Sequence, residues 1–493
     1  MLGMFLITAT AQFLLTVGLA RYLPQRTVGL LLETIALFMI ASRWTMLGAD
    51  SGVIRTLPRL RVAGRRNEMR PTLRVAWPPV LIASVAAAGL GLLLAPALAR
   101  TFYDVSEHDT ATASIRVVAP FLPLAALGGL ALAASRGLGS TRLFAGQNAA
   151  VAVGRCVAVV SLASAGVGGV ALAATWAAPA VPSFVVALVV LGALLRVHDV
   201  PDAAPDGARL GRDFWRFALP RGSAAVLVST VTWFDVLLVG HYASTEDAAV
   251  YAIASRFFMV GTYALQAIGT AVAPQFSALL ARRDKRAAEA VYQAGTWWAM
   301  CLSWPFYLTL IVFPTTLLSL IFGEQYEAAT SALVILSIAG LVDLATGNAQ
   351  ALLLMSGRSG VFLANAATAL TANIALNVVL IPRYGITGAA IAWATSIGLS
   401  NLAAAAQVRY FVGVRPFGRG FAVVAASALI AFLAVPLASR LVFGDGVAAL
   451  LLGVVVGLPL FVGALWRRRD VVRLSELRKG ALAAHRASVP KES

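Results

Sequence analysis

The stretch DVLLVGHYASTEDAAVYAIASRFFMVGTYALQAIGTAVAPQFSALLARRD (235–284) sets the reading of the whole chain. It closes one apolar segment, 221–240, and contains a second, 248–274. Each is about the 20 residues that a helix needs to cross a hydrocarbon core. The turn between them carries Glu246 and Asp247, and the far end runs into Arg282, Arg283, Lys285 and Arg286. Acids at one end and bases at the other predict a helical hairpin through a membrane, with its basic end in the cytoplasm. Two charges stand inside the spans. Asp235 is about six residues from the outer end of the first and Arg256 about eight residues into the second, roughly 9 and 12 Å at the helical rise.

Composition extends this hairpin to the rest of the chain. Of 493 residues, 59% are hydrophobic and 12% are charged, with a mean hydropathy of +0.83. A soluble domain carries about 25% charged residues, so a soluble fold is excluded and so is disorder. Two cysteines exclude a disulfide scaffold; Cys156 and Cys301 fall in apolar spans as small hydrophobes. The 39 basic residues outnumber 22 acidic ones. In a soluble protein that excess would suggest nucleic acid; here it fits loops against an anionic leaflet, and no nucleic-acid partner is expected. The three lysines (Lys285, Lys479, Lys491) lack the glycine spacing of a phosphate-binding loop, so ATP is not the expected energy source. His108, His198, His241 and His485 are scattered, so no metal site and no cofactor is expected.

Apolar spans read as 2–20, 28–50, 76–96, 114–135, 143–164, 168–195, 221–240, 248–274, 291–314, 329–354, 360–380, 386–407, 420–439 and 446–465. The predicted fold is therefore all-α and integral to the membrane, with about 14 transmembrane helices. One set of alternate loops, with the C-terminal tail, carries 30 Arg and Lys against five (Arg21, Arg26, Arg100, Arg383, Arg440) on the other. This places both termini in the cytoplasm of a multi-pass protein of the inner or plasma membrane. No basic leader or clean cleavage site precedes the first span, which begins almost at Met1; either the start is abrupt or the true initiation codon lies upstream. The tail after Trp466 reads either as a basic helix on anionic lipid or as a solvated charged end.

A shift of about 220 residues lays one half of the chain on the other. LARYLPQRTVGL (19–30) meets VGHYASTEDAAV (239–250) with Tyr22 on Tyr242, and Trp77 falls on Trp297. Phe144 falls on Phe362, and GVGGVALA (166–173) meets GITGAAIA (385–392). Six spans repeated by six predict two lobes in parallel orientation, with a substrate site between them. The expected segments are an N-terminal lobe at 1–196, a cytoplasmic linker at 197–220, a C-terminal lobe at 221–408, two more spans within 409–466 and a basic tail at 467–493. Such a repeat points to an alternating-access transporter rather than an enzyme.

The opening stretch resembles the seventh and eighth helices of bacterial polysaccharide flippases. LMSGRSGVFLANAATALTANIALNVVLIPRYGITGAAIAWATS (354–396) resembles their eleventh and twelfth, most tellingly in Asn377 and the run Ile381-Pro382-x-Tyr384-Gly385-Ile386-x-Gly388-Ala389-Ala390. The resemblance covers nearly the whole chain and implies the multidrug/oligosaccharidyl-lipid/polysaccharide exporter superfamily. Relatives there move undecaprenyl-diphosphate-linked sugars from the inner to the outer leaflet. The implied partners are membrane lipid, a polyprenyl-diphosphate-linked glycan and the polysaccharide synthesis machinery.

A charge inside a span costs several kcal/mol unless it meets water or a partner, so each is a candidate. Arg256 is expected to face the cavity and bind substrate phosphate, with Asp235 as its partner when the site is empty; a plain structural ion pair is the alternative. Arg43 is the second phosphate candidate, on position and resemblance, against an arginine that reaches the interface. A guanidinium suits a diphosphate because its planar fork makes several charge-assisted bonds. Glu33, Asp235 and Asp343 are the acids that could couple protons or sodium, and Arg155 is a weaker candidate. Asn348, Gln350, Asn365, Asn373 and Asn377 are read as interhelical packing before sugar contact. Pro120, Pro123, Pro179, Pro182, Pro274, Pro305 and Pro314 are read as static kinks before moving ones.

The expected function is that of a lipid-linked oligosaccharide flippase. A multidrug exporter of the same superfamily and a peptidoglycan-precursor flippase are its rivals. A membrane polysaccharide polymerase would call for a large outer loop or a DxD motif, and the sequence has neither.

Overall fold

A computed structural model describes residues 2–197 and 207–468. The basic tail, beyond Arg468, lies outside the described residues, as does 198–206 of the expected linker. Among the described residues there are helices and no strand, so every backbone amide in the apolar segments can be satisfied locally, as hydrocarbon demands. The protein is an all-α, multi-pass membrane protein. Its apolar side chains point outward as well as inward: on Val447–Arg467 the exposed Leu451, Val455, Leu458 and Val462 recur at helical spacing along one face. In water such a stripe would be a liability; in a bilayer it is the lipid-facing surface.

Ten described helices are long and apolar enough to cross a membrane, or up to twelve if each of two bent pairs is one span. This tally of the described residues does not confirm the expected count of 14. The helix Ser359–Phe411 enters that count once, although two expected spans, 360–380 and 386–407, lie in it. It breaks at Gly385, whose φ of 55° and ψ of −136° are open to glycine and strained for residues with a Cβ. The expected span 28–50 also divides. Gln25–Thr45 ends first, Leu47 and Gly48 take left-handed φ of 51° and 78°, and Ala49–Val62 starts as a separate helix.

Proline accounts for two bends. Val105–Val118 and Phe121–Gly137 meet at 41°, with Pro120 at the break, and Lys285–Val312 and Pro314–Ile321 meet at 96°. A proline cannot donate to the helical ladder and clashes with the preceding turn, so the chain turns there. Pro220 breaks nothing: Gly207–Tyr242 runs for 36 residues from the expected linker into the seventh span.

The chain packs as two compact units. The first comprises the chain up to Arg256 with Ser319–Ala332 and Leu363–Ser396. Its main core gathers Val53, Leu57, Leu73, Leu130 and Phe214, all buried. The distant segment Ser319–Ala332 is held to it by Arg21 Nε donating to the Ile321 carbonyl at 2.9 Å and by Gln325 Nε2 donating to the Ala20 carbonyl at 3.0 Å. Phe13 meets Phe322 edge-on beside them. The second unit comprises Phe257–Leu318, Leu333–Phe362 and the chain from Ile397. Its core is built on Phe276, Tyr292, Leu352, Leu353 and Val408, and Tyr292 anchors it by donating to the Thr346 carbonyl.

Candidate functional site

The polar residues inside the apolar spans are the candidates, and in the first unit several meet the helix Gly207–Tyr242, which carries Asp235. Asp235 is 1% exposed. Tyr251 Oη donates to its Oδ2 at 3.0 Å and Asn377 Nδ2 donates to its Oδ1 at 2.9 Å. Asn373, one turn before Asn377 and fully buried, lies beside the same carboxylate; its amide makes no hydrogen bond of its own. Three helices thus converge on one carboxylate, and the Asn373 and Asn377 amide oxygens stay unbonded around it. A buried carboxylate of this kind can take up a proton.

Arg256 is half-buried, with its guanidinium carbon 4.7 Å from the centroid of the Trp233 ring. Asp235 and Arg256, predicted as a pair, each have a partner of their own. Such a cation–π contact offsets part of the desolvation cost of a guanidinium in an apolar setting.

Glu33 packs against the same helix five residues further on. It is fully buried, and neither carboxyl oxygen makes a hydrogen bond. A Cβ at Gly240 would overlap Glu33 Oε1, so the carboxyl occupies the space a side chain would take. Next to Glu33, Thr34 and Tyr103 share a hydroxyl hydrogen bond at 3.2 Å. An unbonded buried carboxylate is among the most costly groups a membrane helix can hold.

Arg43 is exposed at the last turn of Gln25–Thr45, and its Nη1 lies 3.5 Å from Asp50 Oδ2 across the Leu47–Gly48 turn. An exposed pair of this kind contributes little to stability. Arg155 is held in an aromatic pocket: its guanidinium carbon is 4.4 Å from the Trp176 ring, which Phe38 meets edge-on. In the second unit Asp343 Oδ1 accepts from Asn401 Nδ2 at 2.6 Å, and Asn401 Oδ1 accepts from Gln350 Nε2 at 2.8 Å. Asn377 and Gln350, read as packing residues, therefore bond into networks around intramembrane acids, Asn377 directly and Gln350 through Asn401.

Sequence reasoning missed Tyr251, Trp233, Trp176 and Asn401. One signal for Tyr251 was present. It lies six residues past Thr245, while Asp235 lies seven before Tyr242, so the depth argument that picked Arg256 selects Tyr251 more closely.

Comparisons with known proteins agree with this architecture. The chain is 27% identical over 189 residues to the probable low-salt glycan biosynthesis flippase Agl15 of Haloferax volcanii, a match covering 37% of this chain and 39% of that relative. The fold is that of the lipid II flippase MurJ in an inward closed conformation, at a TM-score of 0.73 and 12% identity, covering 95% of this chain and 98% of MurJ. It is also that of an inward-facing multidrug resistance MATE transporter of the MOP superfamily, at a TM-score of 0.61 and 16% identity, covering 84% and 95%. A family profile described as "Polysaccharide biosynthesis protein" matches residues 6–331, well over half of the chain. The chain belongs to the family described as "Polysaccharide biosynthesis protein", on the fold shared by MurJ and the MATE transporters.

Proposed function

We propose that this protein moves a polyprenyl-diphosphate-linked oligosaccharide from the inner to the outer leaflet for surface polysaccharide synthesis. The observation that carries the reading is Arg256, a guanidinium kept inside an apolar span over the Trp233 ring, in a chain of the polysaccharide biosynthesis protein family. Holding a charge there is expensive, and an anionic headgroup explains why the charge is kept. Arg256 binds the diphosphate by charge-assisted hydrogen bonds, and Arg43 meets it nearer the arginine-rich face. The polyprenyl tail stays in lipid while the lobes at 1–196 and 221–408 rock about the cargo. Asp235 on Gly207–Tyr242 and Glu33 packed against that helix, with Asp343 as a third acid, exchange a proton or sodium to couple the motion. Both termini face the cytoplasm of the plasma membrane, where the synthesis machinery delivers the glycan.

Mass spectrometry of lipid extracts from a strain depleted of this protein tests the reading. Accumulated polyprenyl-diphosphate oligosaccharide with loss of surface polymer is the expected result. Accumulated peptidoglycan precursor would instead favour the second reading, supported by the MurJ-like fold across 95% of the chain. Unchanged lipids with increased sensitivity to cationic drugs would favour a multidrug exporter, which the MATE-like fold also accommodates.

A further inference from the structure

A cavity of about 580 Å³ opens in the first unit among the helix Ala49–Val62, the start of Met69–Phe102 and the first turns of Gly207–Tyr242. Arg55, Arg59, Arg65 and Arg216 line it, against two acids, Glu68 and Asp213. Glu68 is already neutralised: Arg65 Nε and Nη2 grip its two oxygens at 2.6 and 2.7 Å. Three guanidinium groups are left facing one acid, Asp213. Arg55 is fixed by stacking on Phe217, its guanidinium carbon 3.7 Å from the ring centroid. Partial burial, together with the neighbouring Arg59, pushes the Arg55 guanidinium below its ordinary value. Burial is the larger cause, and the like charge of Arg59 adds to it. Leu60 and Leu210 form apolar wall between the charges.

The geometry points to a binding site for a phosphodiester headgroup of an anionic membrane lipid, seated on Arg55, Arg59 and Arg216 with its first acyl carbons against Leu60 and Leu210. Three guanidinium groups lining one cavity suit the oxygens of a phosphoryl group. The walls belong to the arginine-rich loops, the side that attracts anionic lipid. The bound lipid would tie Ala49–Val62 to the base of Gly207–Tyr242, the helix that carries Asp235. This site is separate from Arg256 and from the transported cargo, so it stands or falls independently of the flippase reading.

Native mass spectrometry of the purified full chain in detergent tests it, with phosphatidylglycerol, phosphatidylcholine and inorganic phosphate as probes. Wild type is expected to retain phosphatidylglycerol and release phosphatidylcholine. R59A/R216A is expected to bind phosphatidylglycerol about tenfold more weakly, while R142A, which removes an exposed arginine outside the cavity, binds as wild type. R216E alone changes an exposed position and gives the same loss should the double variant fold poorly. Equal retention by wild type, R59A/R216A and R216E overturns the site. Tighter binding of inorganic phosphate than of phosphatidylglycerol overturns the lipid source and assigns the cavity to a soluble phosphate.

Discussion

Asp235 takes one hydrogen bond from Tyr251 and one from Asn377, and each donor comes from a different helix. Removing one leaves a buried carboxylate underbonded, at a cost of about 1–3 kcal/mol. Y251F and N377A are therefore expected to lower the melting temperature of the purified protein in detergent, while D235N paired with either variant recovers part of the loss; an unshifted melting point in both single variants would contradict the network. At Arg256 the expectation concerns transport. R256A abolishes it, R256K keeps a fraction because a point charge replaces a fork, and full transport by R256A removes the substrate role. E33Q should leave folding intact, since neither Glu33 oxygen is bonded, but should cut the dependence of transport on an imposed proton gradient. The intramembrane charges were legible because a charge in an apolar run stands out. Two of their partners were not: Tyr251 and Trp233 are neutral residues of common type, and only depth along the hairpin separates Tyr251 from other tyrosines. The neighbour of Arg43 was hidden for a different reason. Asp50 lies across a turn that hydropathy does not register.

Among the helices, hydropathy found the apolar segments but not their breaks. The span read as 28–50 is cut at Leu47 and Gly48 because glycine tolerates the left-handed turn, while the flanking residues remain apolar. Pro120 and Pro314 were read as kinks and sit at bends of 41° and 96°. Pro220, inside an unbroken helix, shows that proline alone does not decide where a helix ends. Gly385 has the clearest local constraint. With φ 55° and ψ −136°, a β-branched side chain there costs about 1–3 kcal/mol in backbone strain. G385V is expected to lower the unfolding midpoint or the yield of folded protein, and a wild-type midpoint would mean that the break relaxes into continuous helix.

For the whole molecule, charge asymmetry between loops and a repeat at a shift of about 220 residues carry the transporter reading in the sequence. The polysaccharide biosynthesis match over residues 6–331 and the MurJ-like fold then gave that reading a family and a fold. Orientation makes a separate prediction. A green fluorescent protein joined after Arg467 should fluoresce, and alkaline phosphatase inserted at Gly444 should be active; the reverse pattern would invert the topology. The central claim is transport of a diphosphate-linked glycan, and the direct measurement uses the purified protein in liposomes. A fluorescent polyprenyl-diphosphate oligosaccharide is placed in one leaflet, and its appearance in the other is followed by quenching with a membrane-impermeant reductant. The account predicts transfer by wild type that is lost in R256A. Liposomes with wild-type protein that show no more transfer than protein-free ones would contradict it.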